Sequence, residues 1–308
     1  MVRAVVLGSA AGGGFPQWNS NAPACGRARR GDPAARARSQ ASLAVSSNDK
    51  DWVVLNASPD LRVQIEATSQ LHPRKGLRSS PITGVVLTGG DVDAVAGLLH
   101  LRERHRFDVY APLRILAIIA ANPIFDVLAP EFVRRVELPL DERMELAGAS
   151  GASGLTVAAF AVPGKVPLYL EAVGQDPVLS EEGDAVGLEI IESATGKSFF
   201  FVPGCAAMSD QLLRRIAGSA LVFFDGTLWR DDEMVRLGVG SKTGRRMGHM
   251  SMSGEDGTIA AFRDLGVSRR IFIHINNSNP VLLDDSPERQ IANASGWEIA
   301  YDGMEVTL

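Results

Sequence analysis

Val85-Val86-Leu87-Thr88-Gly89-Gly90-Asp91-Val92-Asp93-Ala94-Val95 is an apolar run that breaks at two glycines and is followed at once by two carboxylates. Behind them, Val92, Val95, Leu98 and Leu99 share one helical face, which predicts a helix over residues 92–103. Strand, acidic turn and helix form the building unit of an α/β protein, and in such sheets ligands gather beyond the carboxyl ends of the strands. One of the two aspartates is expected to cap the helix, the ordinary role of Asp at that point. The other is then left for chemistry.

Working outward, further short apolar runs bounded by turn residues predict strands over 3–7, 42–45, 52–55, 84–87, 155–160, 198–202, 221–224, 270–275 and 298–301. Helical spacing predicts helices over 61–68 with Asp60 as N-cap, and over 209–216, 256–265 and 286–294, the last opened by Ser286 and Pro287. Strands come first, strands and helices then alternate, and strands return at the end. That order predicts a layered α/β protein with mixed sheets, not a doubly wound parallel one. Residues 147–154 and 174–184 read as loops from their Gly, Ser, Ala and acidic content. Residues 84–99 and 221–237 loosely echo each other, each an apolar strand, an Asp-containing loop and a helix. The expectation is one domain over 1–308 built from two related halves.

The 308 residues, 45% of them hydrophobic, suffice for a core without disulfide or metal staples. The apolar run at 115–121 is far short of the ~20 residues of a membrane span. The four apolar residues before Gly8 are too few for a signal-peptide core, so a soluble cytoplasmic protein with no membrane span is expected. Two cysteines, Cys25 and Cys205, exclude a disulfide framework and a four-cysteine zinc site. A net charge of −5 argues against a nucleic-acid partner. The arginines at 27, 29, 30, 36 and 38 are read as a solvated loop.

Three more segments gather polar chemistry at strand ends. Gly8-Ser9-Ala10-Ala11-Gly12-Gly13-Gly14 follows the first strand, but Pro16 and an absent helical period behind it favour a turn beside a cleft over a dinucleotide loop. His274 ends an apolar strand and is followed by Asn276, Asn277 and Asn279. Asp225 emerges from Phe223-Phe224, and the chain then runs into Gly240-Ser241-Lys242-Thr243-Gly244-Arg245-Arg246-Met247-Gly248-His249. That stretch is either a surface loop or a loop that grips substrate.

Taken together, these segments resemble the PQQ-synthesis protein B family of the metallo-β-lactamase superfold. The resemblance spans nearly the whole chain. It rests on Leu7–Gly14 with Pro16-Gln17-Trp18-Asn19, Leu55-Asn56-Ala57-Ser58-Pro59-Asp60, Val162-Pro163-Gly164-Lys165-Val166-Pro167, Asp225-Gly226-Thr227-Leu228, Thr243-Gly244-Arg245, Met247-Gly248-His249, His274-Ile275-Asn276-Asn277 and Asp302-Gly303. It implies an αββα sandwich, two mixed sheets flanked by helices, with the active site at the open edge between them. It also implies a role in making pyrroloquinoline quinone from a peptide. Two departures stand out. Where similar proteins hold a structural zinc with Cys-x-Cys-x-x-Cys, this chain has Ser20, Ala22 and Cys25, so that zinc is expected to be absent. The last histidine of the superfold's metal motif is replaced by Ala94.

Five histidines, three of them (His72, His100, His105) outside any ligand motif, are too few for a two-zinc hydrolase. Two imidazoles and a carboxylate suit a mononuclear ferrous oxygenase. Following the family, the expected cofactor is Fe(II), with Zn the alternative. Its ligands would be Asp93 and His274, completed by Asp91, Asp225 or His249, and Asp93, His249 and His274 would be the catalytic groups. Lys242, Arg245 and Arg246 would pair with substrate carboxylates, and Asn276 and Asn277 would orient the substrate. The implied reaction is hydroxylation of the tyrosine ring in a crosslinked Glu–Tyr intermediate. The contrary reading is a non-catalytic carrier of PQQ or its precursor, or a degenerate paralogue with a weakened metal site. The expected partner is that peptide-derived precursor or PQQ, with a homodimer left open.

Overall fold

The computed structural model describes residues 1–171 and 182–308. Fourteen strands among them form two seven-stranded sheets. The first contains β1 (Arg3–Gly8), β2 (Ser42–Ser46), β3 (Trp52–Leu55), β4 (Ile82–Val86), β5 (Phe107–Ala111) and β6 (Val133–Glu137). The second contains β7 (Arg143–Gly148), β8 (Gly151–Ala161), β9 (Val186–Glu192), β10 (Ser198–Val202), β11 (Leu221–Asp225), β12 (Arg269–Ile273) and β13 (Trp297–Ile299). β14 (Glu305–Thr307) returns to the first sheet and pairs antiparallel with β1.

The two sheets repeat one pairing pattern. From β14 through β1 and β2 to β3 the pairs are antiparallel, and from β3 through β4 and β5 to β6 they are parallel. From β7 to β10 the pairs are antiparallel, and from β10 to β13 they are parallel. With helices on the outer faces this is the αββα sandwich of mixed sheets.

Strand sequence explains the layering. In the centre of the second sheet both faces are covered, so Phe199-Phe200-Phe201-Val202 and Leu221-Val222-Phe223-Phe224 need no polar alternation. Phe199, Phe201, Phe223, Ile271 and Ile273 join the core between the sheets. Phe200, Phe224 and Phe272 face out against helices. There Trp297 stacks on Phe272 with centroids 3.8 Å apart and meets Phe262 edge-on. Ser209 and Ser286 cap Asp210–Ile216 and Pro287–Ala294 by accepting the amides of Leu212 and Arg289.

Several expectations need correction. Residues 147–154 form the tip of the β7–β8 hairpin instead of a loop. The helix at 92–103 is one α turn, Val92–Val95, continued as the 3-10 stretch Ala96–Leu101, and 256–265 contains only Thr258–Ala261 as α-helix. Neither Asp91 nor Asp60 caps through its side chain; Asp60 Oδ2 instead accepts the Gln40 amide at 2.9 Å. The arginine run is partly helical (Pro23–Arg29) and partly buried. Arg27 pairs with Asp32 and Asp285, and Arg38, 5% exposed, donates to the Ala300 carbonyl. Of the loop expected at 174–184, residues 174–181 lie outside the described residues. Among the described residues no helix is long and apolar enough to cross a membrane.

A buried carboxyl ties two loops of the second sheet together. Glu233 accepts the Trp229 amide at 2.8 Å and the Ser278 hydroxyl at 2.6 Å, and Ser278 in turn accepts from Asn276 Nδ2 at 2.6 Å. Burial pushes Glu233 up to about 7. Its carboxyl therefore holds a proton in the folded protein between about pH 4.5 and about 7, where the unfolded chain has lost it. Folding stability should fall as pH rises through that window, by on the order of 3 kcal/mol from this group. Urea unfolding at pH 5 and pH 8 should show that difference shrinking in Glu233→Gln; an unchanged difference would remove Glu233 as its source.

Candidate metal centre

The parallel strands of both sheets end at one cleft, a cavity of about 520 Å³ lined by Gln17, Asp91, Asp93, Ala94, Lys165, Thr227, Lys242, His249, His274 and Asn276 among others. The glycine loop after β1 lines it through Ala11 and Gly12, and Ala11 N donates to the Ile275 carbonyl at 2.8 Å. Asp225 is the last residue of β11, and His274 is the first after β12. His274 takes a left-handed backbone, φ 58°, where non-glycine residues are uncommon. Such strain persists where surroundings impose it. Here the backbone on either side is pinned: Ile273 O accepts Gly226 N, and Ile275 N donates to Ser9 O.

On the other sheet, Asn56, also left-handed at φ 60°, bridges β3 to the end of β4 by accepting Thr88 N at 2.9 Å and donating to Thr88 Oγ1 at 2.8 Å. Ala57 N donates to Ala94 O, and Gly97 N donates to Ala57 O. At Gly97 a Cβ would lie 2.1 Å from the Ser58 carbonyl, so only glycine lets the 3-10 stretch press this close. That backbone contact carries Asp93 into the cleft.

Across it, Asp93 Oδ2 lies 2.9 Å from His274 Nε2. His249 Nδ1 lies 2.7 Å from Asp225 Oδ2, and the two imidazoles stack with centroids 5.2 Å apart. Thr227 Oγ1 sits between them, 3.1 Å from His249 Nδ1 and 2.9 Å from His274 Nδ1, and donates to Asp225 Oδ1 at 2.6 Å. Since a hydroxyl has one proton, the proton given to Asp225 leaves Thr227 as acceptor for the rings. His274 then donates from Nδ1, and Nε2 faces Asp93. Asp225 also accepts the amides of Thr227 and Cys205.

Electrostatics follow from these contacts. Burial alone would raise the Asp93 carboxyl, but the His274 hydrogen bond and charge hold it below the ordinary range. Asp225 is lowered in the same way by His249. For His274, burial opposes the charged ring and the Asp93 contact overcomes it, raising its pKa. Asp91 is pushed up by burial and by the neighbouring Asp93 charge. The Cys205 thiol is driven up to about 12 by burial beside Asp225.

Asp225, His249 and His274 offer ligand atoms all within 4.8 Å of one another, and Asp93 joins them through His274. Two imidazoles with carboxylate oxygens are a donor set that suits Fe(II) or Zn(II), so the residues present fit a metal. Asp91 stands aside, with Oδ1 accepting Leu168 N at 3.4 Å and lying 3.9 Å from Lys165 Nζ. Ala94 lines the cleft but supplies no donor atom.

Of the residues expected to hold substrate, Lys242 and Asn276 line the cleft. Arg246 lies behind Lys242, both within 3.3 Å of Glu171. Arg245 points away into an ion pair with Asp256 and is 70% exposed. Asn277 is tucked against Gln17 and Cys25. Ser20 Oγ accepts the Ala22 amide, and Cys25 Sγ faces Asn277. His72 bonds the Glu66 carbonyl, and His100 and His105 border a separate cavity. Sequence reasoning gave no role to Thr227 or Lys165, although both lie within motifs it singled out, and nothing in the pattern marked Glu171.

A sandwich with metal-binding side chains at the edge shared by its two sheets defines a metallo-β-lactamase-type protein, and the β-lactamase superfamily domain model matches residues 51–275. Coenzyme PQQ synthesis protein B of Gluconacetobacter diazotrophicus is 59% identical over the full length of both chains, and that of Bradyrhizobium diazoefficiens is 52% identical, again over both full lengths. The crystal structure of Zn(2+)-bound PqqB from Methylobacterium extorquens superposes with a TM-score of 0.94 at 49% identity, covering 99% of this chain and 100% of that one. The chain belongs to the coenzyme PQQ synthesis protein B family. A diphosphatase of the PhnP family, 18% identical with a TM-score of 0.68, shares the fold.

Two variants test the centre. Thr227→Val removes a donor to buried Asp225 and a partner of both rings, and should lower stability by about 1–3 kcal/mol in urea unfolding. Ala94→His adds an imidazole to the cleft wall and should tighten Fe(II) or Zn(II) retention at least ~10-fold, read by elemental analysis after dialysis. Unchanged retention would separate position 94 from the metal.

Proposed function

We propose that the chain binds one divalent metal, Fe(II) in its active form, and hydroxylates the tyrosine ring of a crosslinked Glu–Tyr intermediate. Its role is in pyrroloquinoline quinone biosynthesis. The observation that carries the metal reading is the meeting of Asp93 with His274 across the two sheets, beside the contact between Asp225 and His249. Asp93, Asp225, His249 and His274 would hold the metal, which when bound supplies the activation of dioxygen that aromatic hydroxylation requires.

The chain's own residues do the rest. Thr227 fixes the planes of both imidazoles from one atom, so the rings cannot turn independently. His249, with Nδ1 engaged by Asp225 and Thr227, is left with Nε2 as the atom that would meet the metal. Asn276 lines the cleft, its amide held by Ser278, which Glu233 anchors, and by Asn277. Lys242 and Arg246 supply cations for the carboxylates of an amino-acid-like substrate, and of the two Lys242 lines the cavity. The apolar side chains of Val92 and Met234 line the same cavity and suit an aromatic ring.

One observation favours a second reading, a carrier of PQQ or its precursor. Ala94 leaves the metal motif one imidazole short of its usual form in the family. Anaerobic loading with Fe(II), followed by the crosslinked dipeptide, oxygen and ascorbate, separates the two. Oxygen uptake with gain of one oxygen atom by the tyrosine ring is expected, falling at least ~100-fold in Asp93→Ala and His274→Ala. Tight PQQ binding with neither iron retention nor oxygen uptake would leave the carrier and sink the hydroxylase.

A further inference from the structure

Three cations on the cleft wall surround a single carboxylate. Lys165 Nζ lies 3.5 Å from Glu171 Oε1, and Lys242 Nζ and Arg246 Nη2 each lie 3.3 Å from Oε2. These separations are long for charge-assisted hydrogen bonds, which close to about 2.7–2.9 Å. Glu171 is straddled by its partners and not gripped by any one of them. Its side chain is only 11% exposed. Arg246 Nη1 and Glu171 Oε1 are both buried without a hydrogen-bond partner among the described residues. Among the described residues three positive charges face one negative one, and Asp91 stands 3.9 Å from Lys165. The wall therefore holds more cationic donor capacity than Glu171 uses.

This cluster belongs to the cleft. Lys165 and Lys242 line the cavity that holds Asp93 and His274. Gly248, next to His249, has φ 83°, and a Cβ there would fall 2.9 Å from Lys165 Cγ. Glycine at 248 thus makes room for the Lys165 stem beside the metal-site histidine. The segment that delivers Glu171 is lightly held. It follows the single 3-10 turn Leu168–Leu170, whose three side chains are 59%, 46% and 49% exposed. Among the described residues its ties to the neighbouring loop are the Tyr169 hydroxyl to the Gly90 carbonyl at 2.6 Å and Leu168 N to Asp91 at 3.4 Å. Little apolar burial opposes moving it aside.

We infer that Lys165, Lys242 and Arg246 form a carboxylate subsite, and that Glu171 is a built-in occupant which an aromatic polycarboxylate displaces. Of these cations, Lys165 is new to the substrate wall, and Glu171 acts there as an internal competitor that sets affinity. The ligand class rests on the proposed role in PQQ biosynthesis; the competition rests on the charges alone. Loss of the Glu171 charge should strengthen anion binding, whereas loss of any of the three cations should weaken it.

The test is calorimetric titration of PQQ, itself a tricarboxylate, into the full chain without added metal, with melting curves for every variant. Glu171→Gln should bind about 10-fold more tightly than the unaltered chain, while Lys165→Met, Lys242→Met and Arg246→Met should each bind about 10-fold more weakly. Glu171→Asp, which keeps the charge, should stay within about 2-fold, a split that a purely structural role of Glu171 would not produce. Added salt should narrow the gap between Glu171→Gln and the unaltered chain. Should one cation variant melt early, the other two carry the comparison. Equal affinity in Glu171→Gln and the unaltered chain would overturn the internal competitor. Unweakened binding in the cation variants, or no PQQ binding by any form, would overturn the subsite. Since no metal or oxygen is present, a failed hydroxylation assay would leave these outcomes unaffected.

Discussion

The contact between Asp93 and His274 spans the seam between the two sheets, and the rest of the cleft is organised around making it. His274 follows a strand of the second sheet and Asp93 sits on the helical turn Val92–Val95 beyond a strand of the first, so this pair needs both sheets. The devices that secure it are mostly backbone devices: the left-handed turns at Asn56 and His274, and the glycine-only approach of residue 97 to the Ala57–Ser58 segment. Burial raises the cost of an unpaired charge, so a pair held this way is kept together by the penalty for parting it as much as by its own attraction.

A second constraint is the single hydroxyl of Thr227. It satisfies one carboxylate oxygen and meets both histidine rings, so the orientations of Asp225, His249 and His274 depend on one small residue. The outer arrangement, Glu233 through Ser278 to Asn276, does the same for the substrate side of the cleft with a buried acid in place of a hydroxyl. Both are short polar chains inside apolar surroundings, where complete hydrogen bonding matters most.

How far the sequence disclosed this depended on what each residue type announces. The central strands were legible because doubly covered strands read as unbroken apolar runs, as in Phe199–Val202. β6, with Arg134, Arg135 and Glu137, and β7, with the Gly, Ala and Ser tip it shares with β8, lie at or near sheet edges where composition is freer, and went unread, whereas β8 was legible over 155–160. β5 and β9 were buried and still missed, Asp108 and Glu189 interrupting their apolar runs. Asp93, Asp225 and His274 stood out as polar residues where apolar stretches end, and His249 as the histidine of a glycine-punctuated loop; the four do meet. Arg245 and Asn277 carried the same outward signs, but their direction is set by Asp256 and by Gln17, partners far off in sequence that no local pattern reveals. Glu171 was invisible for the same reason, since an acid means little until its three cationic neighbours are known.

The close packing at Gly97 has a bearing on genetics. Gly97 is not among the residues that line the cavity, yet any side chain there would lever the 3-10 stretch off the Ser58 carbonyl and draw Asp93 back from its partner. A random mutagenesis screen for inactive alleles would score this glycine beside the ligands themselves, and a map of such alleles would draw the working centre wider than its chemistry.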